Sequence, residues 1–64
     1  MHKDTQDNIR ALNNYYNRCN EGKLVRYDAN IDRIVVEDLD MNIRFTAGSE
    51  TEFNNFAVYK LWDC

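Results

Sequence analysis

The sequence lacks the residues that most catalytic motifs require. Its 64 residues contain no proline, only two glycines and a single histidine. Glycines at positions 22 and 48 alone leave no Gly-rich phosphate-binding loop. His2 lies at the start of the chain, where nothing holds it within hydrogen-bond reach of a nucleophile. A domain this small can also hardly enclose a substrate cleft. We therefore expect no enzymatic activity and no cofactor.

Basic residues are few, and no long apolar run is present. The chain carries 8 Lys and Arg against 11 Asp and Glu, a net charge of -3. A nucleic-acid-binding module normally carries a basic stripe, so we expect no direct nucleic-acid contact; Arg26, Arg44 and Lys60 offer the weakest alternative. No apolar stretch approaches the roughly 20 residues of a membrane span, and the polar N-terminus predicts no signal peptide. The sequence thus predicts a cytoplasmic protein.

The metal-binding patterns are incomplete. Segments 28–32 and 38–42 imitate the start of a calcium loop, but neither has the Gly and Glu required at the sixth and twelfth positions. Cys19 and Cys64 lack the paired spacing of a zinc site. We predict no metal site. Cys19 is expected to be reduced and buried on a helix, and a Cys19–Cys64 disulfide is the minor alternative.

A helix is predicted over residues 5–20. Apolar residues recur there at spacings of three and four, at Ile9, Leu12, Tyr15, Tyr16 and Cys19. Asp4 or Thr5 is suited to the N-cap, and Gly22 to a left-handed C-terminal cap. The opposite face, expected to be solvated, carries Asn13, Asn14, Asn17 and Arg18.

The pattern then changes to the alternation typical of strands. Strands are predicted at about 25–31, 33–37 and 41–47. Segment 56–62 is aromatic and continuous, which favours a fourth strand with Tyr59 and Trp62 on opposite sides. The alternative is a helix that begins at a capping box of Ser49 and Glu52. We predict one α+β domain, 1–64, with the N-terminal helix on a four-stranded antiparallel meander; the alternative order is α-β-β-β-α.

The acidic residues are concentrated in the predicted turns. Seven carboxylates fall in this part of the chain: Asp28, Asp32, Glu37, Asp38, Asp40, Glu50 and Glu52. Alternate turns of a meander lie at the same end of the sheet. Asp28 and Asp32 should therefore join Glu50 and Glu52 at one end, and the other three should lie at the opposite end. Two acidic rims one strand apart, roughly 20 Å at 3.3 Å per residue, would imitate spaced phosphates.

These features predict a protein that acts by binding other proteins. The seven carboxylates are the predicted partner-binding residues, and a host nucleic-acid-binding protein with a basic surface is the predicted partner. In size, acidity and lack of catalytic motifs, the chain resembles the small proteins with which bacteriophages disable host systems, including anti-CRISPR proteins and DNA mimics. That resemblance implies an inhibitor in the host bacterial cytoplasm. The alternative is a homodimeric structural or regulatory module, paired through an edge strand or the open sheet face.

Overall fold

Two helices pack on one face of a three-stranded antiparallel sheet. The computed structural model describes residues 1–62. In chain order the elements are α1 (Lys3–Arg18), β1 (Lys23–Asp28), β2 (Arg33–Asp38), β3 (Ile43–Thr46) and α2 (Glu50–Trp62). The strands lie in the order β1-β2-β3. The predicted α+β class is confirmed, whereas the predicted four-stranded meander is wrong.

Residues predicted as the fourth strand belong to α2, so the alternative order α-β-β-β-α is the one that forms. The Ser49 hydroxyl accepts a hydrogen bond from the Glu52 amide at 3.1 Å, which satisfies one free donor of the first turn. Phe53 and Ala57, one helical turn apart, are both fully buried. The N-cap and these two anchors outweigh the β-propensity of the aromatic and branched residues that follow, because such propensity depends on packing context.

Helix α1 begins and ends two residues earlier than predicted. His2 occupies the N-cap position without a side-chain cap hydrogen bond. At the C-terminal end, the Glu21 amide donates to the Tyr16 carbonyl and the Asn20 amide donates to the Asn17 carbonyl. This is a Schellman motif in which Asn20, with φ of 55°, takes the left-handed position. Gly22 is also left-handed, but it follows the cap instead of forming it.

The hairpins are tighter than the alternation predicted. Residues 29–32 form the β1–β2 turn, so Ile31 lies in a turn and is exposed. β3 is shortened to Ile43–Thr46. A register irregularity between Val36 and Glu37 places Ile43 opposite Glu37, and Met41 takes a left-handed conformation in the preceding turn. Met41 and Ile43 are therefore exposed, although their alternation predicted a half-buried strand.

The core lies between the sheet and the helices. It is formed by Leu12, Tyr16, Val25, Ile34, Val36, Ala47, Phe53 and Ala57. The Phe45 and Phe56 rings stack with centroids 4.2 Å apart, which joins β3 to α2. Val35 points to the opposite sheet face and is still fully buried, beneath its cross-strand neighbours Arg26 and Thr46. Cys19, which was predicted to be buried, is exposed; the Cys19–Cys64 alternative lies outside the described residues.

Candidate protein-binding surfaces

Asp32 and Glu50 line one cavity at the end of the sheet, and Glu52 lies next to it, beside Gly48. The cavity has a volume of about 490 Å³, and its lining includes Asp32, Gly48 and Glu50. The Glu52 carboxylate lies over Gly48, since a Cβ built on that glycine would meet a Glu52 oxygen at 3.0 Å. The β1–β2 turn and the start of α2 thus meet at the same end of the molecule. We call these three carboxylates the acidic end.

Within the acidic end, the described hydrogen bond to the Asp32 carboxylate comes from a tyrosine, and the neighbouring arginine contacts the Asp32 backbone instead. The Tyr27 hydroxyl donates a hydrogen bond to the Asp32 carboxylate, which raises the pKa of Tyr27. Arg33 also lines the cavity, but its guanidinium donates to the Asp32 backbone carbonyl at 2.9 Å. The side-chain charge of Asp32 therefore remains at an exposed surface.

Glu50 connects α2 to the start of the chain. Its carboxylate accepts a hydrogen bond from the His2 backbone amide at 2.9 Å. This bond, followed by one from the Thr5 hydroxyl, lowers the pKa of Glu50 below its ordinary value of 4.5. Glu50 is thus ionised at neutral pH, and it anchors the N-terminus beside the cavity.

The lowered pKa of Glu50 predicts a specific acid sensitivity. A carboxylate whose pKa falls on folding stabilises the protein above its unfolded pKa, and this contribution is lost as pH falls through the folded value. Glu50→Gln should therefore be less stable than the wild type at neutral pH, and the difference should shrink below pH 4.5. Urea unfolding at about pH 7 and at about pH 3 measures it. A difference independent of pH would contradict this role.

Three of the seven predicted partner-binding carboxylates are paired with arginines inside the molecule. On the open sheet face, the Arg26 guanidinium contacts Glu37 at 2.7 Å and Asp28 at 3.3 Å. Glu37 is only 7% exposed, so its charge is directed at Arg26 and not at solvent. The hydrogen bond to Glu37 is the largest cause of the raised pKa of Arg26, and the bond to Asp28 adds to it. Asp28 and Glu37 thus stabilise the sheet instead of extending an acidic surface.

Asp38, the third paired carboxylate, builds the β2–β3 turn. One of its oxygens accepts hydrogen bonds from the backbone amides of Asp40 and Asn42, at 2.9 and 3.0 Å. The other contacts the Arg44 guanidinium at 2.8 Å. The Asn42 amide is the largest cause of the lowered pKa of Asp38. The second predicted rim is therefore reduced to Asp40, which is exposed.

The outer face of α2 carries exposed apolar side chains that the favoured strand prediction did not bring together, although the helix alternative placed Val58 and Trp62 opposite the buried face. Val58, Tyr59 and Trp62 are 47%, 68% and 86% exposed, and Val58 and Tyr59 precede Trp62 by four and three residues, the spacings of one helical face. With Asn55 they line a shallow groove. The strand interpretation placed Tyr59 and Trp62 on opposite sides, which is wrong because both lie on one helical face. The available signal was that α2 is apolar on nearly every side, more than one buried face requires.

The two edges of the sheet differ. Asn13 of α1, predicted to be solvated, contacts the outer edge of β1: its amide nitrogen donates to the Val25 carbonyl at 2.9 Å, and its oxygen accepts from the Val25 amide at 2.7 Å. The side chain thus makes the two bonds that a neighbouring strand would make. Within residues 1–62, no strand or helix side chain is hydrogen-bonded in this way to the outer edge of β3.

No family model, curated protein or solved structure matches the chain significantly. Among residues 1–62, no three His, Cys, Asp or Glu side chains are grouped closely enough to hold a metal ion. The helices in this same range are too short or too polar to cross a membrane.

Proposed function

We propose that the protein acts by binding another protein through the acidic end, without catalysis. The observation that carries the proposal is the meeting of Asp32 and Glu50 at one cavity, although they belong to different elements. Glu52 adds a third carboxylate beside Gly48. This surface contains fewer carboxylates than the seven predicted, because Asp28, Glu37 and Asp38 contact arginines.

The proposed partner is a nucleic-acid-binding protein with a basic groove, and the proposed effect is inhibition by competition. Carboxylates that are not opposed by an internal guanidinium still have strong hydrogen-bonding capacity for Arg and Lys of a partner. The net charge of -3 would steer the protein toward a cationic surface and accelerate association. An inhibitor of this class, encoded by a phage or mobile element and acting in the bacterial cytoplasm, would exclude nucleic acid from that groove.

Affinity capture from a bacterial lysate, followed by competition, tests the proposal. We expect the retained proteins to bind nucleic acid and to be released by added duplex DNA or by salt, because both compete for the same cationic groups. Glu52→Lys combined with Asp32→Asn should weaken binding to the identified partner about ten-fold or more, as expected for the loss of close interfacial charge pairs. Asn is chosen at position 32 because it tolerates the φ of 54°.

Glu21→Lys is the matched control, because Glu21 is an exposed carboxylate that lies after the end of α1 and does not line the cavity. It changes the net charge by two, as the single variant Glu52→Lys does, so a purely global charge effect would weaken Glu21→Lys and Glu52→Lys equally. Equal binding by the wild type and the Asp32/Glu52 variant would exclude the acidic end as the binding surface.

A further inference from the structure

We infer that the protein forms a two-fold homodimer through the outer face of α2 and the outer edge of β3. This surface is separate from the acidic end, so the dimer does not depend on the proposed partner. It is defined by Tyr59 and Trp62 on α2 and by the backbone of β3, Ile43–Thr46.

The β3 edge has the polar groups that a second strand requires. The Ala47 amide donates to the Ile34 carbonyl of β2. Because hydrogen-bonded and non-hydrogen-bonded pairs alternate in an antiparallel ladder, Thr46, which is paired with Val35, directs its amide and carbonyl outward. The corresponding groups of Val25 on β1 are already bonded to Asn13. Strand addition can therefore extend the sheet at β3 but is blocked at β1.

One residue of the apolar face of α2, Tyr59, lies toward that edge. Asn54 faces α1, since its amide donates to the Thr5 hydroxyl at 3.1 Å. Phe56, two residues later, points away from α1 and stacks on Phe45 of β3. Tyr59 follows Phe56 by one helical turn, so it lies on the same flank of α2 as the β3 edge. Tyr59 therefore connects the outer face of α2 to the strand edge.

A second copy fits this surface in both backbone hydrogen-bonding groups and area. Two β3 strands paired antiparallel about a two-fold axis offer each other the same donors and acceptors and would produce a six-stranded sheet. An aromatic side chain offers about 150–250 Å². Tyr59 and Trp62 alone therefore expose on the order of 300 Å² per copy.

In a two-fold contact, each exposed aromatic is buried on both copies. Together with the paired strand edges, the total buried area reaches on the order of 1,000 Å², the size that a specific interface needs. Tyr and Trp are also the residues that most often dominate interface energetics. Contact through α2 alone would fall below this size, which is why the β3 edge is part of the proposal.

Sedimentation equilibrium and tryptophan fluorescence test the dimer on the intact chain. Over about 1 μM to 1 mM, we expect a change from monomer to dimer mass. Trp62 is the only tryptophan and is 86% exposed in the single copy. Its emission should therefore shift to shorter wavelength over the same concentrations, because the indole leaves water. A monomer at every concentration, with constant emission, overturns the proposal.

Two kinds of variant separate the helix contact from the strand contact. Tyr59→Lys combined with Trp62→Lys should raise the dimer dissociation constant at least about 30-fold, the effect of removing an interface hot spot. Thr46→Pro removes the outward amide without removing a β2–β3 hydrogen bond, and should also weaken the dimer. Leu39→Lys, at a residue 82% exposed in the β2–β3 turn, is the matched control and should leave the dimer intact.

Circular dichroism of each variant distinguishes a folded monomer from an unfolded chain. A folded monomer is the expected product of the α2 and β3 variants. A dimer that survives the α2 substitutions overturns the proposal. So does a folded wild-type monomer whose α2 face is occupied by a different protein. Loss of partner capture by the Asp32/Glu52 variant with the dimer intact supports the two surfaces as independent.

Discussion

Replacing Phe53 with alanine is expected to remove a large part of the free energy of unfolding of the protein. Phe53 is fully buried and connects α2 to the core residues of α1 and the sheet. A Phe→Ala change in a core costs about 3–5 kcal/mol, because transfer free energy is lost and a cavity remains. At about 0.05–0.15 kcal/mol per residue, a 64-residue chain has a total stability of only about 3–10 kcal/mol. One substitution therefore removes a large part of it.

Urea unfolding followed by circular dichroism measures the effect of Phe53→Ala. Tyr59→Ala is the control: it removes an aromatic ring from the same helix, but one that is 68% exposed. At low micromolar concentration, where self-association adds little to stability, this variant should unfold close to the wild-type midpoint. Equal midpoints for the two variants would contradict the placement of Phe53 at the centre of the core.

Replacing Asn13 with alanine is expected to destabilise the protein by about 2 kcal/mol. Asn13 makes two hydrogen bonds, to the amide and to the carbonyl of Val25, and Val25 is only 2% exposed. Both backbone groups would lose their partners, and an unsatisfied buried group costs about 1–3 kcal/mol when solvent cannot replace the bond. Partial access of water at this sheet edge reduces the sum. The measurement is the shift in the urea midpoint.

Asn14→Ala separates the lost hydrogen bonds from the change in helix propensity. Asn14 is the next residue in α1 and is exposed, and alanine favours a helix interior over asparagine by a few tenths of a kcal/mol at either position. We expect Asn14→Ala to be neutral or slightly stabilising. Comparable losses for the two variants would show that the contact between Asn13 and Val25 contributes little.

The Asn13 variant also bears on association. Once Asn13 is removed, β1 presents a free amide and carbonyl at Val25, as β3 does at Thr46. A second open edge allows chains to add at both sides of the sheet, which leads to extended assemblies instead of a closed dimer. The contrast between the two edges in the native chain therefore favours closed association.

The carboxylates illustrate how far local sequence predicts a surface. The meander layout placed Asp32 and Glu50 at the same end of the sheet, and the structure has both at one cavity. It also placed Glu37 at an exposed rim, yet Glu37 is buried against Arg26. Spacing along the chain indicates which end of the sheet a residue occupies. It does not indicate which cation on a neighbouring strand will contact it.

Helix α2 shows why one element was mispredicted. Its run of aromatic and branched residues satisfies a strand pattern and a helix pattern equally well, and local propensity is too weak to choose between them. The choice is made by packing. Phe53 and Ala57 enter the core from one helical face, while Ser49 caps the first turn. That choice places Tyr59 and Trp62 together on an outer face.

The sequence by itself determined the α+β class, the position of α1 to within two residues, and the two hairpins, because periodicity and turn residues are local properties. The tertiary structure alone decided that the last segment is a helix, that arginines contact three of the acidic residues, and that Asn13 covers one sheet edge. Each of these depends on contacts between residues distant in the chain, and no local pattern encodes such contacts.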